Sequence, residues 1–155
     1  MRSLVLTALA LGWAFTAPTA VAEPGQRFAL AIEIEETGEV ISLPEVVVEA
    51  GTPYTMPVDG RADYQLRLTI AKNTRQAGLE YFDRDLGASA ASFIFVETEL
   101  VQMVSGENGA PDWQILSDSD VLLGLSGRWL SVEASLSGED NRRIHMAAVP
   151  FRSGR

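Results

Sequence analysis

Cysteine is absent from this chain. That excludes disulfides, thiolate nucleophiles, thiolate-ligated metals, iron–sulfur clusters and a lipid-modified cysteine. Histidine is nearly absent as well: His145 is the only one, and a zinc site made of one imidazole and carboxylates would be unusual. The 13 glycines stand singly in turn-like contexts, so no glycine-rich loop is available to cradle a phosphate. Basic side chains are scarce, 12 against 21 acidic ones, for a formal net charge of −9. Such a balance repels phosphate backbones and anionic headgroups, so neither nucleic acid nor a membrane surface is an expected partner. Beyond the first 22 residues there is neither an apolar run long enough to span a bilayer nor a sustained helical period.

The exception at the start reads as an export signal. Arg2 is the one charge before the apolar run Leu4 to Phe15, which is short for a membrane span. Ala20-Val21-Ala22 supplies the small-x-small pattern of a cleavage site, so Glu23 is the expected mature N-terminus. Residues 1–22 are therefore set apart as a cleavable signal peptide and 23–155 as one domain, with no transmembrane span after cleavage. A cysteine-free exported domain fits a bacterial periplasmic or secreted protein better than a small eukaryotic one, which usually needs disulfides.

What remains is patterned with a period of two. Phe28, Leu30, Ile32 and Ile34 alternate with small or acidic residues, and Tyr64, Leu66, Leu68 and Ile70 alternate with Gln65, Arg67 and Thr69. Both predict strands with one face in a core and one in water. Val46 to Val48 and Tyr54 to Val58 are short strand candidates, separated by Gly51-Thr52-Pro53, and Pro44 argues for a break or an edge. Phe93 to Val104 reads as a long strand covered on both sides at its start. Trp113 to Leu116 and Val121 to Leu125 read as two short strands parted by a Ser117-Asp118-Ser119-Asp120 loop. Leu130 to Leu136 and Ile144 to Val149 form a terminal hairpin across Ser137 to Asn141. The segment Lys72 to Ser92 is the least regular: Leu79 to Asp83 fits a strand or one helical turn, and Gly87 to Ser92 a flexible connection. The fold expected is all-β, a mainly antiparallel two-sheet sandwich or curled barrel of about eight to ten strands.

A faint internal repeat runs through it. Pro44 to Gly60 is echoed by Pro111 to Gly127, and Phe28 by Phe93. The possible halves are 26–74 and 93–151, joined by 75–92. The alignment sets Leu66, Leu68 and Ile70 against Val132, Ala134 and Leu136, and two meanders of ordinary β-structure would look much the same.

Few side chains suggest chemistry. Asp112, Asp118 and Asp120 fit a loop cluster offering oxygen ligands to Ca²⁺, but they lack EF-hand spacing and fit a solvated turn better. Glu97 and Glu99 share a strand face and suit either acid–base work or solvation. A Ser-His-Asp arrangement has no local motif to support it, and His145 falls opposite the Ile144/Met146 face. Trp113, Trp129 and Tyr54 are candidates for an aromatic binding face. No catalytic residue and no cofactor is assigned. The expectation is a non-catalytic envelope domain that binds a protein or other ligand through a sheet edge or the aromatic face; the alternative is a carboxylate- or metal-dependent hydrolase.

Overall fold

Alternation places the side chains as the period of two requires. Phe28, Leu30, Ile32 and Ile34 are all buried, and so are Tyr64, Leu66, Leu68 and Ile70. A computed structural model describes residues 25–133 and 142–152. The export segment, Ala134, Leu136 and the turn at 137–141 lie outside the described residues.

Nine strands are described: β1 (Arg27–Glu36), β2 (Glu39–Ser42), β3 (Val46–Glu49), β4 (Tyr54–Val58), β5 (Arg61–Ile70), β6 (Phe93–Ser105), β7 (Pro111–Gly124), β8 (Leu130–Glu133) and β9 (Arg142–Pro150). They form two antiparallel sheets, ordered β2-β1-β9-β8 with β3 also on β1, and β4-β5-β6-β7. Inward side chains of both sheets make one core, including Leu30, Ile32, Leu66, Leu68, Val96 and Met146. The fold is thus an all-β sandwich, and the sheets do not close into a barrel.

The order of the sheets carries a two-fold pattern. Under the exchange of β1 with β6, β2 and β3 with β7, β4 with β8, and β5 with β9, each sheet maps onto the other. The crossovers between sheets match in detail. Ala50 donates its N–H to the Gln26 carbonyl and Gly51 to that of Ile70; Leu125 likewise donates to Ser92 and Gly127 to Ala148. Both glycines hold positive φ, 80° and 74°, which an L side chain adopts only with strain. In this correspondence β5 answers to β9, with Leu68 on Thr98 of β6 and Met146 on Ile32 of β1. The sequence offset instead sets β5 against β8. Val132 of β8 is half-buried against the core.

Two local expectations give way. The Ser117 to Asp120 stretch is not a loop, because β7 runs unbroken through it, paired with β6 from Pro111 to Gly124. Ladder bonds to a long buried neighbour outweigh the weak turn preference of Ser and Asp. The irregular segment from Lys72 to Ser92 holds α1 (Thr74–Phe82) and a 3₁₀ turn at Gly87–Ser92. Asn73 caps α1 by accepting the Gln76 N–H at 3.0 Å, and the helix stops at Asp83 in the left-handed region. No β-branched residue follows Thr74 within it, so nothing opposes the helical turn. The helix lies on the outer face of the second sheet. Tyr81 stacks on Phe95 with ring centroids 4.8 Å apart, and Phe82 meets the same ring edge-on at 5.9 Å. Phe95 points away from the core, yet this cover leaves it 1% exposed.

Candidate functional site

β7 and β8 are the edge strands on one side of the sandwich. Between them, roofed by α1 and the chain that leaves it, is a cleft of about 590 Å³. Phe82, Leu86, Leu122, Leu130 and Val132 give it apolar walls. Each arrives by a different route: Phe82 ends the helix, Leu86 follows it, Leu122 sits on the outer face of β7, and Leu130 and Val132 alternate on β8. Phe82 and Leu130 remain 43% and 38% exposed, which leaves apolar surface facing solvent at the mouth.

Two charged side chains of opposite sign also line it, Arg84 and Asp120. Among the described residues neither side chain has a hydrogen-bond or ion-pair partner. Partial burial pushes the Asp120 carboxyl above the usual aspartate range, and the neighbouring carboxylates of Asp118 and Glu97 push it further. The charge contribution is visible in the register: Glu97 stands opposite Asp120 and Glu99 opposite Asp118 across β6 and β7. Tyr81 donates to Glu97 at 3.3 Å, and Arg67 approaches Glu99 at 3.8 Å. Glu97 in turn holds the Tyr81 phenol above its ordinary value.

The three aspartates read as a metal cluster are not together. A bulge at Leu116 shifts the register of β7, with Leu100 opposite Ser117 and Val101 opposite Ile115. The extra residue reverses the alternation, so Asp112, opposite Val104, lies on the other face from Asp118 and Asp120. Among the described residues no three His, Asp or Glu side chains gather to hold a metal. The aromatic candidates also stand apart. Trp113 is half-buried on the outer face of the second sheet with the Arg67 guanidinium 5.8 Å from its ring. Tyr54 heads β4 at the far edge, and Trp129, 52% exposed, precedes β8.

On the outer face of the first sheet, three adjacent strands bring together a group that sequence reasoning missed. His145 Nδ1 lies 2.7 Å from Ser131 Oγ, and its Nε2 lies 3.1 Å from Glu35 Oε2. The alternation had put His145 opposite Ile144, and there it is; only the register of β8 on β9 and β9 on β1 selects its neighbours.

No family model, curated protein or solved structure matches the chain.

Proposed function

We propose that this chain is an exported bacterial envelope protein, periplasmic or secreted, whose folded part is a non-catalytic binding domain with its ligand site in the β7/β8 cleft. One observation carries the reading: a concave, largely apolar site of ligand size is lined by two charged side chains of opposite sign, Arg84 and Asp120, that have no partner among the described residues, and ligand sites have that composition. Export rests on Arg2, the apolar run and Ala20-Val21-Ala22.

Strand addition by an envelope partner at a sheet edge has less in its favour. Each edge carries a device that discourages it. β2 and β3 are parted around Pro44, β4 is five residues long with Pro57 in it, and β8 is four residues long. β7 is long, but it begins at Pro111, bulges at Leu116 and carries three aspartates.

A neutral apolar dye such as N-phenyl-1-naphthylamine should brighten on binding the purified protein. Leu130→Asp or Leu122→Asp should weaken that binding about tenfold or more, since each sets a charge in the apolar wall. Dye binding indifferent to both substitutions would remove the cleft as the site. For export, mass spectrometry of the native protein should find Glu23 first.

The Ser131–His145–Glu35 arrangement favours a second reading, serine-dependent ester hydrolysis, because a hydroxyl, a base and a group orienting the base are within hydrogen-bond reach. It stands on the open face of a sheet, away from the cleft. Hydrolysis of p-nitrophenyl acetate that Ser131→Ala abolishes would establish it; a rate unchanged by that substitution would dismiss it.

A further inference from the structure

Resting on the reading of the cleft as a ligand site, we infer that its ligand is a short apolar peptide with both ends free, the ammonium beside Asp120 and the carboxylate on Arg84. The walls fix the body of the ligand: Phe82, Leu122, Leu130 and Val132 offer it no polar contact from their side chains. The charges fix its ends. Asp120 has Asp118 beside it on the same strand and Glu97 across from it, so a cation arriving there relieves repulsion among three carboxylates. Arg84 lines the same cleft without a carboxylate partner among the described residues, and a guanidinium grips a carboxylate through two parallel N–H donors. A ligand with one charge would leave the other side chain as it is; a zwitterion engages both.

The backbone separates a peptide from other zwitterions. β8 is the last strand of its sheet, paired only with β9, so its outer N–H and C=O groups have no strand partner among the described residues. At four residues β8 is too short an edge for a partner protein's strand, but it matches a short peptide lying past Leu130 and Val132, which carries donors and acceptors at the spacing those groups need. Two to four residues are about what a cleft of this size encloses, since it falls in the ordinary 300–1,000 Å³ range for small-ligand sites.

The test is competition against the dye by trileucine, N-acetyl-trileucine and trileucine amide. Trileucine should displace the dye, and blocking either end should weaken displacement by about three- to tenfold, the range of a charge-assisted contact at a part-exposed site. In Asp120→Asn the free and acetylated peptides should compete equally, while the acid should still outdo the amide. In Arg84→Gln the pattern should reverse. Both substitutions are at exposed positions, and an unchanged β circular dichroism spectrum shows that each variant is folded. Blocked peptides that compete as well as the free one, or end preferences that survive the substitutions, overturn the inference. If the dye binds and responds to Leu130→Asp but no peptide displaces it, the inference fails and the cleft stands. If the dye does not bind, both fail.

Discussion

Asp120 is the residue whose surroundings work against its charge. Its carboxyl is held above the ordinary aspartate range by partial burial, then by Asp118 and Glu97, so the folded protein binds its proton more tightly than the unfolded chain. By linkage, stability then falls as pH rises through the weakly acid range above the ordinary aspartate value, and the deficit persists at neutral pH. Asp120→Asn should therefore stabilise at pH 7, by about 0.5 kcal/mol given the exposure of the site and the usual size of cross-strand like-charge terms. The gain should shrink to nothing as the medium is acidified below that range, where both states are protonated. Urea titrations of the two proteins at several pH values check it; a gain independent of pH would mean that charge is not its cause. The sequence displayed all four carboxylates, but not that Glu97 faces Asp120 or that Asp112 faces the other way. Register and one bulged residue decide both.

Among the elements, α1 is the one that makes the outer face of the second sheet partly apolar. Phe95 alternates with Ile94 and Val96, so by period alone it belongs in water; Tyr81 and Phe82 bury it instead. Phe95→Ala should cost about 3–5 kcal/mol, as large aromatic truncations in a core do. Leu79→Ala, on a helix residue that is 48% exposed, should cost under about 0.5 kcal/mol. Equal effects would mean that the helix does not hold this place. Phe93 to Val104 did read as covered on both faces at its start, so the burial was legible while its cause was not. A nine-residue helix with Gly78 in it carries too little periodicity to announce itself. The division of β7 into two strands failed for a related reason: Ser and Asp mark turns in isolation, but a thirteen-residue neighbour, β6, supplies ladder partners along its length.

At the scale of the whole molecule, the two-fold order of the sheets makes Leu68 and Met146 counterparts, 2% and 0% exposed at the centres of β5 and β9. Leu68→Asp and Met146→Asp should each unfold the protein. An unpaired carboxylate in the core costs several kcal/mol, much of the roughly 5–15 kcal/mol that holds a domain together. Val132→Asp, on the short edge strand β8 and half-buried, should leave a cooperative urea transition at lower midpoint. If Val132→Asp is the more damaging, β8 rather than β9 answers to β5, as the sequence offset had it.

The alternation of Phe28 to Ile34 and of Tyr64 to Ile70 sufficed to determine strands, their inward faces and the all-β class, because a period of two is set by each strand's own backbone. Which strands pair, and in what register, is set by contacts between residues far apart in the chain. Those contacts put Glu35 of β1 beside His145 of β9 and Ser131 of β8, turned Asp112 from Asp118, and opened a cleft between Leu122 and Leu130. None of these follows from local pattern, since a one-residue slip moves a side chain to the opposite face while leaving the hydrophobic period unchanged.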